Sequence, residues 1–497
     1  MKEVNVLNLI DGYKADHRRQ YPEGTEYVYS NFTPRRTRVS DINSIVFFGL
    51  QYFVKEYLMK KWQTEFFDRP KEEVLKNYKR RIDNYLGPDA ITYEHIAELH
   101  DLGYLPIKIK ALDEGTVVPI GVPVLTIINT KPEFFWLTNY FETIVSNVLW
   151  KPSTSATTAL QYRKVFENYA TKTGYDKSAI QWQAHDFSFR GMSGVEDALM
   201  SGAGHLLSFT GTDCIPAIDF LETYYNADSD KELVGGSVPA TEHSVMCMGQ
   251  QESEVETYRR LLTQIYPSGI VSIVSDTWDF WKVMTEYLPQ LKSEIEARDG
   301  RLVVRPDSGD PVKIICGDTE TPRSLITEAQ YKGAYELLWD TFGGHINEKG
   351  YKVLNTKVGV IYGDSITLER QKKILEGLEE KGFCPSNLVL GIGSYTYEYV
   401  TRDTFGFAMK ATWGQVNGEE RDIFKNPKTD IGFKKSAKGL LKVYQAKGSH
   451  GYSKLMLKDE CTKEEENDGL LTTVYEDGRL VKETSLSKIR ERINNMF

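Results

Sequence analysis

The chain has 497 residues, 40% of them hydrophobic and 26% charged, with a formal net charge of -9. That length suits two or three domains with enough chain to bury a large core, and the acidic balance excludes a general affinity for nucleic acid, so any phosphate site must be a local cluster of cations. Five scattered cysteines (Cys214, Cys247, Cys316, Cys384 and Cys461) without CxxC spacing exclude a disulfide framework and a structural zinc site and point to the cytoplasm, while the lack of a leader-like N-terminus and of any run of ~18 apolar residues predicts neither export by that route nor a membrane span.

In chain order, residues 1–150 mix helical stretches with a β-like block, IKIKALDEGTVVPIGVPVLTII (107–128), whose apolar runs are cut by Gly and Pro turn signals. This predicts an α+β domain. Residues 151–400 change texture: short β-branched runs each lead into a polar, Gly-bearing turn and then a helical pattern. AIQWQA leads into HDFSFRG, LLSF into TGTD, GGSV into PATEHS and IVSIVS into DTWDF; RLVVR leads into PDSGD, VGVIY into GDSI and LVLGI into GSYTYE. Such units predict parallel strands with crossover helices, in a closed barrel or a doubly wound sheet. The barrel is preferred because polar residues suited to chemistry follow nearly every strand, as where the loops at the C-terminal ends of barrel strands share one site. A doubly wound sheet would concentrate them at one switch point. Residues 401–497, with GLLKVY, a basic cluster and YEDGRLV, read as hairpins and a final helix rejoining the first domain.

Asp186, Asp213, Asp276, Asp307 and Asp364 each follow an apolar run. One aspartate in such a place is more often a helix N-cap or turn former. Several in one barrel point instead to carboxylates that hold ribose hydroxyls, orient a metal-bound pyrophosphate or accept an amide proton. Arg190 and Arg305 stand where a planar guanidinium can grip a phosphate or an aromatic ligand, whereas Arg402 and Lys410 taken singly read as surface ion-pair residues. The turns Gly363-Asp364-Ser365 and Gly391-Ile392-Gly393-Ser394 can offer backbone N–H groups to a phosphate; Thr396 in place of a third glycine argues against a dinucleotide fingerprint. His243, beside Glu242 in SVPATEHS, is of a kind more often structural, but its neighbours suit a proton acceptor or a phosphorylatable nucleophile. Phe187 and Tyr13 are candidates to stack on a flat ring, with core packing as the plainer role. The chain has no GxSxG, GxxxxGK[ST] or HExxH motif, which removes the commonest hydrolase and nucleotidase signatures.

DGYKADHRRQYP (11–22), FFGLQY (48–53), HDFSFRG (185–191), TGTD (210–213), SVPATEHS (237–244), VSIVSD (271–276), VRPDSGDP (304–311), GD (363–364) and TRD (401–403) together resemble the nicotinamide phosphoribosyltransferase family, in its order and spacing. The resemblance implies an α/β fold: an irregular β/α barrel of the type II phosphoribosyltransferases with a sandwich-like α+β domain built from the N- and C-terminal segments. It implies a homodimer with shared active sites that joins nicotinamide to phosphoribosyl pyrophosphate, giving nicotinamide mononucleotide for NAD biosynthesis. Nicotinamide would lie between Phe187 of one subunit and Tyr13 of the other, with Asp213 accepting from the carboxamide and Arg305 and Ser272 at the same end. Arg190, Asp307, Gly363 and Asp364 would address the ribose and neighbouring groups. The 5'-phosphate would meet Gly393 and Ser394 together with Arg402 and Lys410 of the other subunit. Asp276 and Asp307 would place Mg2+ and pyrophosphate, and His243 would be phosphorylated by ATP, a co-substrate whose hydrolysis favours product. FKKSAKG (433–439) offers either Lys434 or Lys435 as a further phosphate contact, and the Gly391–Tyr395 turn is poorer in glycine than the family's. The alternatives are a nicotinate phosphoribosyltransferase, a non-catalytic binding protein on the same fold, or a glycoside hydrolase on a similar barrel.

Overall fold

The alternation in IKIKA is realised as the strand Ile107–Ala111, with Ile107, Ile109 and Ala111 fully buried and Lys108 and Lys110 paired with Glu476 and Glu466. The computed structural model describes residues 4–363, 365–425, 437–447 and 453–497. The chain forms two compact units, one of Met1–Thr157, Leu221–Ala227 and Val400–Met496, the other of Thr158–Phe220, Asp228–Tyr399 and Phe497.

In the first unit an antiparallel sheet runs in the order Glu419–Asp422, Phe407–Val416, Thr25–Pro34, Leu125–Asn129, Ile107–Ala111, Thr472–Glu476 and Arg479–Leu480. Strands from both ends of the chain are thus neighbours: Phe407–Val416 lies against Thr25–Pro34, with Lys410 opposite Asn31. The C-terminal segment completes the N-terminal sheet.

In the second unit the parallel strands follow the order Gly211–Thr212, Ala184–Asp186, Leu388–Ile392, Val358–Tyr362, Asp299–Arg305 and Ser268–Val274. The segment 236–240 bridges the two free edges. Gly236 pairs with Gly211 through hydrogen bonds of 3.0 and 2.8 Å, and Ala240 pairs with Ser272, whose N–H donates to the Pro239 carbonyl at 2.9 Å. All seven sequence units therefore take part in one ring, as expected of a barrel. The face of these strands turned away from the site packs on the crossover helices: Val271, Ile273, Leu302, Val304, Val358, Val360, Leu388 and Leu390 are fully buried in one apolar cluster with Ala334, Leu338, Ile374 and Leu375, each contributing about 1.5–3 kcal/mol. Crossover helices start on proper caps, including Asp310 before Pro311–Cys316, Thr327 before Glu328–Phe342 and Thr367 before Leu368–Glu380. Among the described residues no helix is long and apolar enough to cross a membrane.

Candidate active site

The N-cap role that a post-strand aspartate usually plays falls to Asp279 and Asp310, whose side chains accept from the first turns of the following helices. Asp276 and Asp307 are thereby released for other work. Asp276 Oδ2 accepts from the Asp307 N–H at 3.0 Å, the Ser308 N–H at 2.8 Å and the Ser308 hydroxyl at 2.5 Å. Asp307 is gripped by Arg305, whose Nε and Nη2 donate to its two oxygens at 3.0 Å each, a bidentate pair. His243 opens the helix His243–Met248 and lies half-exposed above both carboxylates, its Nε2 3.9 Å from Asp276 Oδ1 and 3.9 Å from Asp307 Oδ2, with Nδ1 3.1 Å from the Thr277 hydroxyl.

Beside this acidic end sits an aromatic one. The Phe187 backbone N–H donates to the Ile392 carbonyl at 2.9 Å, and the Arg305 guanidinium carbon lies 5.1 Å from the ring centroid, within cation–π range. The His185 ring packs against Phe187 at 4.5 Å. Its Nε2 is 2.7 Å from Asp213 Oδ1, which also accepts from the Ser237 hydroxyl at 3.3 Å. Burial works to raise the Asp213 carboxyl, but the hydrogen bond and charge of His185, the Ser237 hydroxyl and the Arg305 guanidinium outweigh it and hold the group below the usual carboxylate range. The Ser272 hydroxyl is buried and has no hydrogen-bond partner among the described residues. Two glycines make the close approach possible: a Cβ on Gly363 would lie 2.1 Å from Asp307 Oδ1, and one on Gly391 would lie 2.7 Å from Phe187 Cδ2. Arg190 is exposed on the turn Phe189–Gly191, and Gly191 abuts the Ser394 side chain. Gly393 precedes the short helix Ser394–Tyr397.

Asp186 behaves differently. Successive side chains on a strand face opposite ways, so where His185 reaches Asp213, Asp186 is completely buried, with Oδ1 accepting from the Ser188 N–H at 2.9 Å.

In the first unit, exposed Tyr13 has the Lys14 ammonium 5.4 Å from its ring centroid, and Glu142 pairs with both Lys14 and Lys410. Arg402 pairs with Asp403, which Arg36 and Arg38 also approach. Burial lowers the Arg35 guanidinium, helped by the charges of Arg36 and Arg402; burial likewise lowers the Lys410 ammonium, with Glu142 opposing and Arg35 and Lys14 adding to it. The cations are close enough to repel one another, which a bound phosphate would relieve. Asp364, Lys434 and Lys435 lie outside the described residues.

The family model of the nicotinate phosphoribosyltransferase (NAPRTase) family matches residues 182–479, and that of the nicotinamide phosphoribosyltransferase N-terminal domain matches residues 5–109. A nicotinamide phosphoribosyltransferase of Acinetobacter baylyi is 57% identical over 99% of this chain and 97% of its own, and one of Xanthomonas campestris is 33% identical over 98% and 97%. The chain belongs to the nicotinamide phosphoribosyltransferase family. Among solved structures, nicotinate-nucleotide pyrophosphorylase from Pyrococcus furiosus superposes with a TM-score of 0.59 at 14% identity, covering 100% of this chain and 96% of that one. Human nicotinic acid phosphoribosyltransferase gives 0.56 at 16%, covering 98% and 93%. These likenesses carry the type II phosphoribosyltransferase fold.

For this family the acidic end also passes a test of fit for Mg2+. Asp276 Oδ1 is buried with no hydrogen-bond partner among the described residues, a costly state for an anionic oxygen. Among those residues no group of three or more metal-binding side chains is present. Mg2+ commonly takes one or two protein carboxylates and fills its octahedron with water and phosphate oxygens, and Asp276 and Asp307 are the two carboxylates at this end. His185, Arg35 and Arg36 have no role in the sequence reading, and Ser237 enters it only as a neighbour of His243. For His185 and Ser237 the signal was present, since they open the motifs HDFSFRG and SVPATEHS. For the arginines only the run PRRTR hinted at it.

Proposed function

We propose that this protein transfers the phosphoribosyl group of phosphoribosyl pyrophosphate to the ring nitrogen of nicotinamide, releasing nicotinamide mononucleotide and pyrophosphate. The carrying observation is Asp213: His185 and Ser237 occupy Oδ1, so the oxygen left for the substrate belongs to an ionised, acceptor-only group. It accepts from the carboxamide NH2. The carboxylate of nicotinic acid would meet like charge there, a mismatch of several kcal/mol once water is excluded.

In this reading the bond from the anomeric carbon to pyrophosphate breaks as the ring nitrogen's lone pair forms the new one, and the positive charge ends on the pyridinium. No proton has to be removed, so positioning outweighs base catalysis. Phe187 stacks on the pyridine ring, with Tyr13 of the partner subunit on its other face, and Arg305 and Ser272 lie at the amide end. Arg190, Gly363 and Asp364 address the ribose. Gly393 and Ser394, with Arg402, Lys410 and Lys434 or Lys435 of the partner subunit, take the 5'-phosphate, to which we add Arg35. Asp276 and Asp307 would hold Mg2+, which would supply positive charge against the leaving pyrophosphate. His243, whose Nε2 is 3.9 Å from an oxygen of each carboxylate, is in this reading the nucleophile that ATP phosphorylates. A homodimer with shared sites follows from the roles given to Tyr13, Arg402 and Lys410, and a reducing compartment, the cytoplasm, suits five free thiols.

The test is product formation from phosphoribosyl pyrophosphate and Mg2+ with nicotinamide and nicotinic acid in parallel, each with and without ATP. Nicotinamide mononucleotide from the amide supports the reading. Product from the acid alone would overturn the assignment of Asp213, and no product from either would favour a binding protein.

A further inference from the structure

The carboxylate of Asp213 is not symmetrically held. Every hydrogen bond it accepts among the described residues lands on Oδ1, from His185 at 2.7 Å and Ser237 at 3.3 Å. A carboxylate whose one oxygen is pinned has lost its free rotation, so Oδ2 keeps a fixed direction. His185 itself is buried and clamped. Its ring lies 4.5 Å from that of Phe187, tilted by 37°, and on another side Gly211 comes so close that a Cβ there would stand 2.8 Å from Nδ1. A bond to a carboxylate, which only accepts, requires an N–H on Nε2, so Nε2 is the donor. One side chain thus touches both the ring that would stack on the pyridine and the carboxylate that would receive the amide.

We propose that His185 is a positioning residue for amide-over-acid selection: by donating from Nε2 it pins Asp213 Oδ1 and aims Oδ2 at the carboxamide. This rests on the reading of Asp213 given above. A merely structural His185 would support Phe187 alone, and its loss would weaken stacking of nicotinamide and nicotinic acid equally. A His185 that orients Asp213 affects the two pyridines differently, because only the amide needs a fixed anionic acceptor and only the acid is repelled by it.

The experiment compares wild type, His185→Leu, His185→Gln and His185→Asn, reading kcat and KM for nicotinamide, nicotinic acid and phosphoribosyl pyrophosphate. Loss of a hydrogen bond to a charged group is expected to raise KM for nicotinamide about tenfold or more and to lower the amide-to-acid ratio of kcat/KM by a similar factor, with KM for phosphoribosyl pyrophosphate nearly unchanged. Gln, whose amide nitrogen reaches the place of Nε2, should restore most of the ratio. Asn, whose nitrogen stands nearer the place of Nδ1, should not, and it carries the comparison if the Leu variant fails to fold. An unchanged ratio in both Leu and Asn variants, or an equal loss with both pyridines, would overturn the proposal while leaving the role of Asp213 standing. A wild type that prefers the acid would instead sink the reading of Asp213 itself.

Discussion

Gly391→Ala is a sharp test of how tightly the aromatic end is built. The added Cβ would stand 2.7 Å from Phe187 Cδ2, 2.9 Å from Cε2 and 2.9 Å from the Gly363 Cα, whereas carbon atoms rest at about 3.5–4.0 Å. The Gly363 side is backbone and cannot yield cheaply, so the ring must move by about 1 Å. Its own backbone is tied to Ile392, and His185 and Arg305 pack on it. Overpacking of this kind costs about 1–3 kcal/mol, and a displacement of about 1 Å in a positioning group costs about 100-fold in rate. Steady-state assays with nicotinamide should therefore show kcat/KM down about 100-fold, alongside a lowered Tm. Gly236→Ala is the control, since its Cβ would meet Trp182 at 3.6 Å, an ordinary contact. A Gly391→Ala enzyme with wild-type KM for nicotinamide and wild-type Tm would refute the reasoning.

Asp276→Asn keeps an oxygen for the Asp307 and Ser308 donors but removes the charge behind the unpartnered Oδ1. The fold should survive, while the Mg2+ concentration needed for half-maximal activity rises by about tenfold or more; an unchanged Mg2+ titration would count against metal binding there. His205 is completely buried between the Tyr397 hydroxyl at 2.7 Å and the Gly211 carbonyl at 3.0 Å, and burial pushes its pKa down to about 4. The unfolded chain takes up that proton near pH 6.5 and the folded one does not, so stability is complete above about pH 6.5 and declines toward pH 4, by about 3 kcal/mol in all. Urea titrations at pH 8, 6.5 and 5 should show this fall, and His205→Gln should flatten it; parallel curves for the two proteins would exclude the assignment.

Much of the barrel was legible because each strand is a short apolar run closed by a Gly-bearing turn, a pattern local in sequence. What remained hidden depends on contacts distant along the chain. Asp276 and Asp279, or Asp307 and Asp310, look alike in sequence, and only the exit path of the backbone decides which caps a helix and which faces His243. Asp186 reads like the other aspartates, yet strand alternation turns it away from the site, toward Gly202 of the helix Val195–His205, and leaves His185 at the site. Arg35 gains meaning only through the register that lays Thr25–Pro34 against Phe407–Val416, which brings it near Arg402 and Lys410. For Tyr13, sequence shows an aromatic in a recognisable motif and the fold shows it exposed.

The stave formed by residues 236–240 has a consequence for motion. Ser268–Val274 and Asp299–Arg305 run side by side along their whole lengths, whereas this stave meets each neighbour at a single bridge and includes Pro239, which has no N–H to give. Opening free energy follows the bonds that must break, so the ring breathes first at this seam, and its amides should exchange with deuterium ahead of the other staves. Ser237 sits on the seam and His243 hangs just beyond it. The most yielding part of the wall therefore carries the side chain that helps pin Asp213, and leads directly to the imidazole above the two carboxylates.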